Sequence, residues 1–271
     1  MNNSDLSNDF PSNKKIYTYI TLILAWAWIY GFLWFTTLRN IILFDTTIFL
    51  FLGPFIITLI FTLLDSLPPK KIGFINYSEL KKAPNSLMLS MLFIYFLIIL
   101  VLQIYVGFFG LNLSFINDPG IIFLSAILMF FYMLLLALYE ESAWSGWFYS
   151  FIPMKNFIKK NIVIAVAWFI WYIPYFLWFS NINLTFEKSI IFFIIFLSYL
   201  IPTRFLYSWF REKSNSIYWP CIANGVTGTA NFIIVNLIDI LKVNDLLFFG
   251  LSAIAAVIMS AILYYSFPLE S

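Results

Sequence analysis

The stretch YEESAWSGWFYSF, residues 139–151, decides how the rest of the sequence is interpreted. Two adjacent carboxylates, Glu140 and Glu141, follow the apolar run LLLAL and precede an aromatic-rich segment. Charged side chains are costly at membrane depth, so a carboxylate found there is by default a functional candidate. The alternative is a solvated pair that marks the membrane interface. Two adjacent glutamates between apolar segments favour the functional interpretation.

The composition around this stretch is that of an integral membrane protein. The 271 residues are 62% hydrophobic and 10% charged, with a mean hydropathy of +0.92. A soluble domain of this length could not bury so much apolar surface. The single cysteine, Cys221, excludes an internal disulfide. We expect no cofactor and no nucleic-acid partner, and the oligomeric state is left open.

The apolar segments predict an all-α protein with about eight transmembrane helices. A helix needs about 20 apolar residues to cross the hydrocarbon core. A polar N-terminal segment, residues 1–15, precedes a single multi-span domain, residues 16–267. The predicted spans are 16–37, 46–64, 87–109, 121–139, 161–179, 188–206, 217–238 and 246–267.

The distribution of Lys and Arg predicts the orientation, since cytoplasmic loops carry the excess of basic residues. With the N-terminus inside, twelve basic residues face the cytoplasm, while three, Arg39, Lys188 and Lys242, face outward. Both termini, the segment 1–15 and the glutamate pair are then cytoplasmic. The short loops favour a multi-pass protein of a prokaryotic plasma membrane. Aromatic residues beside lysines further predict that residues 140–160 lie along the membrane interface.

The adjacent glutamates are predicted to have different roles. Neighbouring residues on a helix point about 100° apart, so the two carboxylates cannot easily share one ligand. Glu141 and Ser145 are four residues apart and lie on one face. One carboxylate can activate a water molecule as a general base, while a cation or a hydrogen-bond donor holds the other. Arg204 and Arg211 are first of all cytoplasmic-side cations; alternatively, one of them reaches the glutamates.

The stretch EESAWSGWFYSFI resembles the first motif of the CAAX protease and bacteriocin-processing (CPBP, or Abi) family of intramembrane endopeptidases. That motif reads Glu-Glu-x-x-x-Arg, often with Trp before the Arg and Gly after it. Glu140, Glu141, Trp144 and Gly146 match it, and Ser145 takes the Arg position.

Two further stretches resemble the later motifs of that family. AWFIWYIPYF, residues 167–176, is similar to its Phe-x-x-x-His motif, with Trp168 at the Phe position and Tyr172 at the His position. SWFREKSNSIYWPCIANGVTG, residues 208–228, is similar to its His-Gly-x-x-Asn region. Asn224 and Gly228 take the His and Asn positions, or Thr227 and Asn231 do in a shifted register.

The resemblance covers most of the chain and implies an eight-helix bundle with a cavity open to the cytoplasm. It implies that Glu140 activates water with Glu141 as its partner, while Tyr172 and Asn224 replace the usual histidines. The chain departs from the family by lacking the motif Arg and by containing no histidine at all. A zinc site is not expected either, because such sites need His, Cys or several carboxylates. The remaining site residues, predicted to line a substrate pocket, are Trp144, Ser145, Trp168, Thr227, Gly228 and Asn231.

Two functions follow from the resemblance. The first is glutamate-based cleavage of a prenylated or membrane-associated peptide, with membrane lipid and a hydrophobic peptide as partners. The second is a catalytically dead scaffold that binds a peptide or a lipid-modified chain, as in bacteriocin immunity. A small-solute transporter is a weaker third, since transporter sites favour broken helices near the bilayer midplane.

Overall fold

The computed structural model describes residues 11–36, 47–65, 67–74, 85–110, 119–179, 186–237 and 245–266. These residues form helices and turns, with no β-strand among them. They contain eight main helices: α1 (Asn13–Thr36), α2 (Thr47–Leu64), α3 (Asn85–Gly110), α4 (Pro119–Glu141), α5 (Phe157–Pro174), α6 (Phe186–Ser214), α7 (Tyr218–Leu237) and α8 (Asp245–Ser266).

The eight predicted segments are confirmed as helices, with most boundaries within four residues. Two helices run further than the hydropathy pattern predicts. α4 continues through a π-helical segment, Ser142–Phe148, and a last turn, Tyr149–Phe151. α6 continues eight residues beyond the predicted end at 206, to Ser214. Both extensions carry polar or charged residues that end an apolar run without ending the helix.

The prediction that residues 140–160 lie along the membrane interface is wrong for residues 140–151. Trp144 and Trp147 have no exposed surface, and Phe148 and Phe151 are buried as well. The reason is packing between elements. The Trp147 ring stacks on Tyr19 of α1 at a centroid distance of 4.0 Å. These aromatic side chains therefore belong to the core of the bundle.

The outer surface of the bundle is apolar, the reverse of what a soluble helical protein shows. Large apolar side chains such as Leu63, Leu128 and Ile194 are more than 60% exposed. Four described segments are long and apolar enough to cross a membrane: Asn13–Thr36, Leu124–Phe151, Phe157–Leu177 and Ser189–Ser214. Ile48–Leu64, Asn85–Val101 and Gly250–Tyr265 are shorter apolar helices. The molecule is thus a membrane-like helical protein.

The contact between α4 and α7 is the most extensive in the bundle, and it positions the site. Glycines allow it, because a Cβ atom at Gly225 would lie 3.4 Å from the backbone of Leu134. A Cβ atom at Gly228 would lie 2.9 Å from the sulfur of Met133. Small residues let two helix backbones approach closely. α6 packs against α5, α7 and α8 and closes the other side.

Candidate active site

The glutamate pair lies in the last turn of α4, immediately before the helix widens into its π-helical segment. Both carboxylates are withdrawn from solvent: Glu140 is 2% exposed and Glu141 is not exposed at all. Burial of a charged group is costly unless hydrogen bonds or an opposite charge compensate it. The partners of each glutamate therefore define what each can do.

Glu140 is held by neutral donors. The indole nitrogen of Trp168 donates to its Oε1 atom at 2.5 Å. The side-chain amide of Asn224 donates to its Oε2 atom at 2.9 Å. Tyr172, one helical turn beyond Trp168 on α5, lies beside Trp168 with ring centroids 5.7 Å apart. These partners come from α5 and α7, so three helices converge on Glu140.

Glu141 is held by a cation instead. The guanidinium of Arg204 on α6 lies with one terminal nitrogen 3.0 Å from Oε2 and the other 3.4 Å from Oε1. This two-pronged contact matches the planar shapes of both groups. The hydroxyl of Ser145 joins them: it donates to Oε2 of Glu141 and accepts from Arg204. The two adjacent glutamates thus have partners of different charge.

Arg204 has no exposed surface and is enclosed by aromatic rings. Its guanidinium carbon lies 5.5 Å from the ring centroids of both Trp168 and Tyr207. Cations at this distance from an aromatic face are stabilised by the ring quadrupole. The Arg204 Nε atom has no hydrogen-bond acceptor within the described part of the chain. Trp168 therefore contacts the guanidinium with its ring and Glu140 with its N–H group.

The sequence of α5 places Trp168 and Tyr172 side by side at the site. Trp168 and Tyr172 are four residues apart, so they lie on one face of the helix, with ring centroids 5.7 Å apart. Pro174 follows, and the helix continues as a second π-helical segment, Tyr175–Phe179. Single π-helical turns inside α-helices occur often at functional sites. Here α4 and α5 each widen just after their site residues.

Arg211, two turns beyond Arg204 on α6, binds the backbone of the π-helical segment that follows the glutamates. Its Nε atom donates to the backbone carbonyl of Ser145 at 3.1 Å, and a terminal nitrogen donates to Asn215 at 3.0 Å. A Cβ atom at Gly73 would lie 3.0 Å from the guanidinium. Arg211 therefore fixes the π-helical backbone at the turn that also carries the Ser145 hydroxyl.

The structure brings together Glu140, Glu141, Tyr172 and Asn224, the four residues with predicted catalytic roles. Of the third-motif candidates whose side chains the structure describes, Asn224 contacts the carboxylates. Thr227 instead accepts a hydrogen bond from Tyr207 at 3.1 Å and donates to the carbonyl of Ala223. The side chain of Asn231 lies outside the described residues.

The predicted pocket residues divide into two groups. Trp144 lies in the aromatic core beside Trp171, with no exposed surface. Gly228 is only partly buried, as are Asn224 and Tyr172. Trp168 was predicted to line the pocket, but it is a direct hydrogen-bond donor to Glu140. The predicted cavity open to the cytoplasm stays a prediction.

The arrangement offers a base, a second fixed carboxylate and several neutral donors. A carboxylate held by neutral donors can accept a proton, and the donors can stabilise a developing negative charge nearby. No group of three or more His, Cys, Asp or Glu side chains that could hold a metal ion occurs among the described residues. No protein-family model matches the chain, and no curated protein matches it in sequence.

Proposed function

We propose that this protein is a glutamate-based intramembrane peptide hydrolase, similar to the CPBP endopeptidases, in which Glu140 is the general base. One observation carries this proposal: the two adjacent carboxylates have different partners. Glu141 is committed to Arg204, whereas Glu140 contacts neutral donors only, among the described residues. A carboxylate in a cation pair is a poor proton acceptor, so Glu140 is the better base of the two.

The proposed reaction is hydrolysis of a peptide bond by water. Glu140 accepts a proton from a water molecule as the water oxygen forms a bond to the scissile carbonyl carbon. The tetrahedral intermediate then loses the amine as the carbon–nitrogen bond breaks, and Glu140 returns its proton to the leaving nitrogen. The glutamate is regenerated and one water is consumed. This dual use of one carboxylate follows the usual logic of general acid–base catalysis.

Asn224 and Tyr172 are the donors proposed to stabilise the oxyanion. Both side chains are only partly buried, and Asn224 donates to Glu140 in the absence of substrate. Donors in a free enzyme often tighten onto the reacting group only when substrate is bound. They take the place of histidine, which the chain does not contain. Each such donor is worth about 100- to 1,000-fold in rate.

The proposed substrate is a prenylated or other membrane-associated peptide, and the proposed location is the cytoplasmic side of a prokaryotic plasma membrane. The apolar exterior of the helices supports a membrane location. The excess of basic residues on the loops at the glutamate end supports the cytoplasmic side. The resemblance in the three motifs supports the class of substrate.

The test is cleavage of a prenylated CAAX peptide by the purified protein, followed by mass spectrometry. Glu140→Gln is expected to lower the rate about 100- to 10,000-fold, the range of general acid–base catalysis. Glu187→Gln is the matched control, because Glu187 lies 17 residues from Arg204 on the same helix, about 25 Å along its axis. Its rate should equal that of the wild type. A parallel reaction with a chelator is expected to proceed unchanged.

A second candidate function is a binding scaffold that holds such a peptide without cleaving it. Two observations favour it: the chain has no histidine, and both carboxylates are almost completely buried with their oxygens engaged. In that case the folded protein binds the peptide but releases no product. Glu140→Gln then leaves the peptide Kd within about threefold, since the carboxylate contributes no chemistry.

A further inference from the structure

We propose that Arg204 is the positioning residue that gives the two glutamates different roles, and that the site requires its charge rather than its place on α6. The catalytic consequence rests on the proposed function, whereas the pairing itself does not. Nothing in the sequence around Arg204 distinguishes it from an ordinary cytoplasmic-side arginine. Its role follows from its contacts.

The Arg204 guanidinium pairs with one of the two glutamates. Arg204 directs both terminal nitrogens to Glu141, at 3.0 and 3.4 Å. Asn224 bridges the two carboxylates but carries no charge. Among the described residues, the positive charge that contacts the carboxylates is that of Arg204, and it is committed to one of the two adjacent glutamates.

The Arg204–Glu141 pair is completely buried. Arg204 and Glu141 both have no exposed surface, so neither charge is screened by water. Removing one member of such a pair leaves an uncompensated buried charge, which is far more costly than removing both. The pairing therefore makes a clear prediction: loss of Arg204 alone is worse than loss of Arg204 together with the Glu141 charge.

Trp168 connects Arg204 to Glu140. The ring of Trp168 faces the guanidinium at 5.5 Å, while its N–H group donates to Glu140. Arg204 thus restrains the orientation of a residue that positions the proposed base. It touches neither the water nor the peptide in the proposed reaction, so its effect passes through Glu141 and Trp168.

The residues at positions 145 and 204 can be exchanged while the positive charge stays beside Glu141. Ser145 lies one helical turn beyond Glu141, and its hydroxyl already contacts both the Glu141 carboxylate and the Arg204 guanidinium. A Glu followed by a basic residue four positions later is a favourable pair on a helix. An arginine at 145, combined with a serine at 204, places the same charge in the space that the Arg204 side chain vacates. The exchanged protein has an unchanged composition.

The stability measurement uses thermal unfolding of the full chain in detergent. Arg204→Gln is expected to lower the Tm by about 10 °C, the usual effect of breaking a buried pair in a chain of this size. Adding Glu141→Gln to Arg204→Gln should recover at least half of that loss. If Arg204→Gln does not melt cooperatively, Arg204→Lys is measured instead. Lysine keeps the positive charge but cannot place two nitrogens on the Glu141 carboxylate, so the Tm should fall by a smaller amount.

The rescue measurement uses the exchange variant. Ser145→Arg combined with Arg204→Ser is expected to recover the Tm to within about 3 °C of the wild type, whereas each single change lowers it. In the cleavage assay, Arg204→Gln should lower kcat at least about 100-fold with KM within about threefold, because Arg204 does not contact the peptide. The exchange variant should regain kcat to within about tenfold.

The outcomes separate this inference from the proposed function. If the wild type cleaves no peptide, the hydrolase proposal fails, while the Tm values still test the pairing. If the double variants show only the sum of the single effects, Arg204 is not the charge partner of Glu141 and the inference is wrong. An Arg204→Gln variant with wild-type Tm and kcat would also overturn it.

Discussion

The side-chain amide of Asn224 spans the two glutamates: its nitrogen lies 2.9 Å from Oε2 of Glu140 and 3.4 Å from Oε1 of Glu141. An amide nitrogen carries two hydrogens, so it can serve both carboxylates at once. Two adjacent buried carboxylates repel each other. The shared donor from α7, together with Arg204 from α6, explains how the fold tolerates them.

Replacing Asn224 tests the need for a donor at this place. Asn224→Asp keeps the size but removes both donors and adds a third carboxylate. We expect peptide cleavage to fall more than about 100-fold and the Tm to fall further than in Asn224→Ala, because like charges repel. Thr229→Val on the same helix is the control, since the Thr229 hydroxyl donates to the carbonyl of Gly225 within its own helix. Equal Tm values for Asn224→Asp and Asn224→Ala would argue against charged carboxylates at Glu140 and Glu141 beside Asn224.

Trp168 and Trp171 form a matched pair for testing the indole donor. Both are buried on α5, but only Trp168 donates to a carboxylate. The indole nitrogen of Trp171 has no acceptor among the described residues. Replacement by Phe removes similar volume in both cases. Trp168→Phe should therefore cost about 1–3 kcal/mol more in the free energy of unfolding than Trp171→Phe, because it leaves a buried acceptor unpaired. Comparable losses in denaturant titrations would show that packing, not the N–H group, is what matters.

Close approach of α4 and α7 is testable at Gly225. A side chain there meets the backbone of Leu134, which cannot shift by itself. Gly225→Leu should lower the free energy of unfolding by about 1–3 kcal/mol, the cost of overpacking, and move Asn224 away from Glu140. Gly250→Leu is the control, because no atom of the described residues lies within 4 Å of a Cβ atom at Gly250. That control should melt at or above the wild-type temperature, since leucine favours helix over glycine by nearly 1 kcal/mol.

Much of the fold is predictable from the sequence because apolar runs and helices coincide in this chain. The ends are less predictable: α4 continues past Glu141, since the following aromatic residues are buried against α1 and α5 rather than exposed at an interface. Aromatic residues beside lysines have the same local pattern in both situations. Only the tertiary contacts, such as Tyr19 on Trp147, distinguish them.

The candidate site is predictable where a motif marks it and not where a distant residue completes it. Glu140, Glu141, Tyr172 and Asn224 were named from motif positions, and they lie together. Arg204 was only an alternative, because a basic residue near a helix end is usually a loop-side charge. Its contact with Glu141 spans 63 residues of sequence, and no local pattern encodes it. The direct contact of Trp168 with Glu140 was likewise missed, since tryptophan is common throughout this chain.

The most direct test of Glu140 as a general base is a single-turnover cleavage in water enriched in oxygen-18, with enzyme in excess over a prenylated CAAX peptide. If Glu140 activates water, one oxygen-18 atom enters the new carboxyl terminus of the peptide product. The enzyme peptide that contains Glu140 then stays unlabelled in the mass spectrum. Oxygen-18 in that enzyme peptide would show that Glu140 attacks the carbonyl itself, and would contradict the general-base mechanism.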